Sequence, residues 1–241
     1  MHVLESLWSR ATQTSEPLGV ALLFGSLAVG LVLVLLPGTW HTVRHAVTVV
    51  HEGGHGLAAV LTGRRLTGIR LHSDTSGLTV SKGPRTGFGM VITLLAGYTA
   101  PALAGLGAAW MLHRGYASGL LWALLVVLAL MLVQIRNWFG LWVILVGAAV
   151  VFAVTWFAAP EWQLVFGHVL TAVLALGALR ASLELQSSRR RTRSAQSDAD
   201  QLARLTRVPG LAWVFVFVLV ALACAVADLW MLVPQGLLTM P

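Results

Sequence analysis

The chain has 241 residues, 57% of them hydrophobic and 10% charged, with a mean hydropathy of +0.81. Soluble domains are about a quarter charged, so a water-soluble globular fold is excluded, and the repeated long apolar runs define a polytopic membrane protein. The single cysteine, Cys224, excludes a disulfide framework and a cysteine zinc cage, while the formal charge of +7 sits in loops between apolar runs. Membrane topology accounts for that charge without a nucleic-acid partner.

Taken in chain order, the apolar runs predict about seven transmembrane helices over 18–36, 39–63, 87–112, 116–135, 138–159, 162–179 and 210–233. They form one all-α transmembrane domain over 1–241 in the lipid bilayer. Helices are required because an isolated span must satisfy its own backbone hydrogen bonds. The first run is uncharged and too long for a signal-peptide core, so it reads as an anchor. The second is unusual in carrying Arg44, His45, His51, Glu52 and His55. After it, 66–82 has two short β-prone arms around Ser73 to Gly77, which fits either a cytoplasmic-side hairpin or a solvated loop. The stretch 184–208 is polar and arginine-rich, a cytoplasmic linker. From Ser197 onward it has a capping-box start and helical apolar spacing, which predicts a short interfacial helix.

Seven spans place the N-terminal segment and the loops after spans two, four and six on one side. That side then holds all of the 16 Lys and Arg except Arg44 and Arg114. By the positive-inside rule the N-terminus is cytoplasmic and the C-terminus lies across the cell membrane. Trp40, Trp110, Trp156 and Trp230 fall near the outer span ends, as interfacial rings do.

The chemistry lies in His51-Glu52-Gly53-Gly54-His55. On a helix the two histidines, at i and i+4, share one face and reach a single zinc ion at about 2.0–2.1 Å. Glu52 is placed to take a proton from zinc-bound water. Ionisable groups inside a span cost several kcal/mol unless partnered, so the cluster reads as a functional site rather than as polar packing. His41 and His45 repeat the i, i+4 spacing further out, and His168 lies in the sixth span; packing and interfacial roles account for these.

The chain resembles the site-2 protease-like intramembrane zinc metallopeptidases of family M50, and their M50B-like branch more closely. The resemblance rests first on His51-Glu52-Gly53-Gly54-His55. Further matches are Ser76-Gly77-Leu78-Thr79, Ala96-Gly97-Tyr98, Arg136-Asn137 and Ser197-Asp198-Ala199. It implies a membrane-embedded Zn2+ held by two histidines and an aspartate, with the glutamate as general base in hydrolysing membrane-embedded protein substrates. Better-characterised members carry their aspartate in an N-x-x-P…L-D-G motif, which is absent here, where Asn137 is the only asparagine. The Ser-Asp-Ala pattern marks Asp198 as third ligand, with Asp228 and Asp200 as alternatives. Asn137 is a candidate for holding substrate backbone or the water at the metal. Two rival readings remain: a catalytically silent zinc protein that binds transmembrane segments, and a metal transporter using His41, His45, His51, His55 and His168.

Overall fold

A computed structural model describes residues 2–192 and 197–234. The elements in order are α1 His2–Thr12, α2 Val20–Leu35, α3 Pro37–Leu61, β1 Arg65–Leu71, β2 Gly77–Lys82, α4 Phe88–His113 and α5 Ala117–Gln134. They continue with α6 Trp138–Phe157, α7 Pro160–Thr192, α8 Asp198–Thr206 and α9 Gly210–Leu232.

Among the described residues five helices, α4, α5, α6, α7 and α9, are each long and apolar enough to cross a membrane. A sixth span arises if α2 and α3 are taken together, although they meet at a 100° bend. The expected seven spans are therefore not met. The sequence reading counted α2 and α3 as two crossings, whereas α2 has only 16 residues and α3 is interrupted by its charged and imidazole groups. The break has a local cause. Pro37 opens α3 and forces Leu36 into an extended conformation (φ −75°, ψ 130°), which the residue before a proline favours.

The bend leaves the last carbonyls of α2 without helical partners, and Arg180 of α7 supplies them. Its Nη1 donates to the carbonyls of Val34 and Leu35, and its Nε pairs with Glu184 Oε1 at 2.8 Å. Trp40 Nε1 donates to the same oxygen at 3.0 Å, and Arg44 reaches Glu184 Oε2 at 3.0 Å. The guanidinium of Arg180 also lies 4.8 Å from the centre of the Trp40 ring. A cation at a helix C-terminus is doubly favourable, through hydrogen bonds and through the macrodipole.

Helix α4 is central. It packs on α3, α7 and α9, with Gly54 of α3 against Ala96 and Ala100, where a Cβ on Gly54 would collide with Ala100. Small residues allow this close approach between membrane helices. The outward faces of α5, α6 and α9 carry exposed Val126, Leu130, Leu145, Phe152, Phe215 and Leu222, as expected of surfaces that face lipid.

The two strands form an antiparallel hairpin with Ile69 opposite Thr79. The outer edge of β1 is closed by the α5–α6 connection: Ile69 bridges Ile135, and Arg136 N donates to Ile69 O at 2.9 Å. The edge strand left free among the described residues is β2. Helix α7 runs on to Thr192, well into the stretch read as linker, and α8 follows where a short helix was expected.

Both ends of the described chain lie at the end of the bundle away from the hairpin. Ser15 N donates to Gly115 O at 2.9 Å, Arg10 sits 5.2 Å from the centre of the Trp156 ring, and His113 Nδ1 meets Met231 O at 2.8 Å. The expectation of termini on opposite sides of the membrane followed from the odd span count, whereas the structure puts both described ends at one end of the bundle. Arg10 and Arg114 are the basic groups at that end, while Arg44 joins Glu184 nearer the hairpin.

Candidate metal centre

The helical stretch from His51 to His55 places both imidazoles on the face of α3 that packs against α4. The close approach at Gly54 brings the α4 backbone alongside them. Gly97 of α4 lies directly against the rings: a Cβ there would collide with His55 and come within 2.9 Å of His51 Cε1. The next residue, Tyr98, packs edge-on against His51 with ring centres 4.7 Å apart.

Asp198 arrives from the other side as the first residue of α8. Its Oδ2 lies 3.4 Å from His51 Nε2 and 3.2 Å from His55 Nε2, and the two Nε2 atoms are 3.1 Å apart. Ligands held about 2.0–2.1 Å from a tetrahedral ion are about 3.3–3.4 Å from one another, so this triangle matches one face of such an ion's coordination shell and leaves a fourth corner open. His55 Nδ1 lies 2.7 Å from Thr93 O, so in the neutral ring that nitrogen carries the proton and Nε2 turns a lone pair toward Asp198. With His51 likewise unprotonated at Nε2, as metal ligation requires, three lone-pair donors face one point. Among the described residues these form the one group of three or more His, Cys, Asp or Glu residues with ligand atoms all within 4.8 Å.

When the two imidazoles are protonated they face Asp198 as donors: burial opposes ionisation of its carboxyl, but His55 and His51 outweigh it and hold it well below the usual carboxylate range. Its neighbour Asp200 points elsewhere. Burial pushes its carboxyl up, and the stronger effect of Arg189, with Ser197, holds it below the ordinary value. Ser197 caps α8, its hydroxyl accepting from Asp200 N at 3.3 Å.

Glu52 is buried, 4% exposed, and turned toward the hairpin. Thr79 Oγ1 donates to Glu52 Oε2 at 2.6 Å and lies 3.0 Å from Glu52 O. Gly77 faces the same carboxylate, which a Cβ at that position would strike. Alternation along β2 explains why: Gly77, Thr79 and Ser81 face inward, while Leu78, Val80 and Lys82 are exposed. The turn before β2 is fixed by Thr48 Oγ1, which donates to Thr75 O at 2.9 Å, and Thr75 is held at φ 67°.

The other candidates lie apart from this group. Asp228 is buried in α9 beside Gly105, with neither carboxylate oxygen hydrogen-bonded. Asp200 is engaged by Arg189. Asn137 clamps the edge of β1: its Nδ2 donates to Leu71 O at 2.7 Å and its Oδ1 accepts from Leu71 N at 3.2 Å, so its amide serves the hairpin. His168 bonds the Leu164 carbonyl of its own helix at 2.7 Å, and the His41 and His45 rings meet edge-on at 5.7 Å. The five histidines of a transport path are therefore not gathered at one site.

The neighbours of the site came unassigned from sequence. Gly77, Thr79, Gly97 and Tyr98 stand in the matched tetrapeptide and tripeptide, which gave the only signal for them. Thr93, acting through its backbone carbonyl, and Arg189 had none.

A bundle of apolar helices enclosing two histidines and an aspartate, with a glutamate alongside, defines an integral membrane protein with a group of side chains that could hold a metal ion. The family model described as Peptidase M50B-like matches residues 24–228. The chain belongs to that family, within the M50 site-2 protease group of intramembrane metallopeptidases. No curated protein and no solved structure matches the chain.

Proposed function

We propose that this protein is a zinc-dependent intramembrane peptidase that hydrolyses peptide bonds of membrane-embedded protein substrates. The observation that carries the reading is the triangle of His51 Nε2, His55 Nε2 and Asp198 Oδ2, with sides that suit a tetrahedral zinc ion and a corner left for water or substrate. These three residues would hold the ion. The chemistry zinc supplies when bound is to lower the pKa of water toward about 7 and to polarise a peptide carbonyl.

Glu52 is the general base. It accepts a proton from the attacking water and passes it to the leaving amine, so that water and peptide become a carboxylic acid and an amine, which at neutral pH end as carboxylate and ammonium. Thr79 fixes the carboxylate by donating to one oxygen, which leaves the other free to take the proton. A substrate span must unwind first, because a helical carbonyl is already hydrogen-bonded. The unwound segment adds to the free edge of β2, the strand that also holds Glu52. The basic residues cluster toward the hairpin end, which by the positive-inside rule faces the cytoplasm in a cell membrane. Both ends of the described chain then face the opposite side.

The test is zinc content of the detergent-purified protein, together with cleavage of a co-reconstituted single-span reporter carrying glycine and proline in its span. About one zinc per chain is expected, lost in His55→Ala. Glu52→Gln keeps the zinc and lowers cleavage by about 10²–10⁴-fold. A folded, metal-supplied protein without zinc, or undiminished cleavage in Glu52→Gln, refutes the reading.

A further inference from the structure

The third ligand stands on a separate short element, and this raises the question of what holds that element in place. Helix α8 follows the described part of α7 only after 193–196, so its position depends on what it docks against. Its apolar anchors are Ala199 and Leu202, both fully buried among Leu94, Leu185, Val214 and Phe217. The polar anchor of its first turn is Arg189 of α7. The Nε and Nη2 of that guanidinium donate to Asp200 Oδ1 at 2.9 and 2.6 Å, and Nη1 donates to Gln186 Oε1 at 2.9 Å. The first residue of α9 is shaped to this side chain, since a Cβ on Gly210 would collide with Arg189 Nη2.

Asp198 and Asp200 are two residues apart, about 200° around the helix, so they leave α8 on opposite sides. One side chain faces His51 and His55, and the other is gripped by Arg189. The far end of α8 is held by Leu205, packed on the same cluster, and by Thr206, whose hydroxyl accepts from Trp213 Nε1 at 3.1 Å, so the grip of Arg189 acts on the first turn, which carries Asp198. A planar guanidinium anchored at Gln186 and giving two donors to Asp200 fixes the rotation of that turn.

We propose that Arg189 is a positioning residue of the metal centre: by gripping Asp200 it sets the rotation of the first turn of α8, and so holds Asp198 opposite the two histidines. The inference rests on the zinc-binding part of the proposed function. It assigns Asp200, weighed from sequence as a ligand, to holding the ligand two residues before it.

The experiment is a zinc titration of the full-length protein in detergent against a competing chelator, with the visible spectrum of the cobalt-loaded protein as a second readout. Removing a partner that orients a metal ligand typically weakens affinity by 10–100-fold. Arg189→Gln is expected to raise the zinc Kd by at least about tenfold and to change the cobalt spectrum as one ligand is lost. Arg189→Lys, which keeps the charge and one donor, falls between the two. In an Asp198→Ala background Arg189→Gln changes the Kd no further, because the residue through which it acts is gone. An unchanged Kd in folded Arg189→Gln overturns the proposal, as does an equal further loss on top of Asp198→Ala. Both results leave wild-type zinc binding, and the peptidase reading, intact. If the wild-type protein binds no zinc, that reading fails as well, and the two failures are thereby told apart.

Discussion

Gly97→Ala gives a sharp test of the metal centre, because one methyl group would be added directly against both histidines. The new carbon would overlap the His55 ring and lie 2.9 Å from His51 Cε1. Carbon atoms pack comfortably at about 3.5–4.0 Å, so α4 or the rings must give way by roughly 0.5–1 Å. Metal sites tolerate ligand displacements of about 0.2 Å, so at least one nitrogen leaves its place in the triangle. Overpacking of this kind costs about 1–3 kcal/mol of stability. The zinc Kd is expected to rise by about 100-fold, at the upper end of the range for lost support of a metal ligand. Gly107→Ala on the same helix is the control. Nothing lies within 4 Å of a Cβ at that position, so it keeps full zinc affinity. It also gains up to about 1 kcal/mol from the better helix propensity of alanine. The assays are chelator competition for zinc and thermal unfolding in the same detergent. A folded Gly97→Ala protein with wild-type zinc affinity would refute the assignment of these histidines as ligands in this geometry.

Gly77→Ala separates the base from the metal. Its methyl group strikes the Glu52 carboxylate and leaves the ligand triangle untouched, so zinc content is unchanged while reporter cleavage drops by about 10²-fold or more. Arg180→Gln removes the charged donor from the carbonyls of Val34 and Leu35 and from Glu184. Hydrogen bonds to charged groups contribute about 1.5–3 kcal/mol, so a loss of roughly that size is expected in thermal or denaturant unfolding, and none if the bend between α2 and α3 is held by Pro37 alone. The hairpin turn is sensitive to acid. Ser76, through its hydroxyl and its backbone N–H, holds the Asp74 carboxyl below the usual carboxylate range. A depressed folded pKa gives stability that is present above about pH 4 and lost as pH falls through the folded value. Amide exchange at Ser76 should therefore accelerate in acid, and Asp74→Asn, which keeps the turn but does not titrate, should abolish that dependence.

The metal motif and its helix were legible without the fold. His51, Glu52 and His55 lie within one helical turn, and a local spacing of four residues fixes which face two imidazoles share. The short helix after Ser197 was legible for the same reason, since a cap and an apolar period are properties of neighbours in sequence. The hairpin was half legible: its β-prone arms and turn residues are local, but whether they pair is not. The span count failed at Pro37. Apolar length measures whether a segment is able to cross a membrane, whereas the crossing itself depends on the direction a broken helix takes, here held by Arg180 from α7. Once α2 and α3 make a bent pair, Arg10 lies at the end of the bundle away from the hairpin and Arg44 nearer the hairpin.

Composition and short-range spacing by themselves determined that the chain lives in a membrane, that its spans are helical, and that two histidines share a helix face able to hold a metal, with a glutamate beside them. Only the tertiary structure brought Asp198 to that face, across well over a hundred residues of chain, and turned Asp200 to Arg189 and Asn137 to the hairpin edge. It alone set Gly97 against the imidazoles and Thr79 against Glu52. The physical reason is the same in each case. A ligand sphere and a buried carboxylate need partners within about 3 Å, and apart from neighbours on one helix, sequence distance carries no information about which groups a packed bundle brings that close.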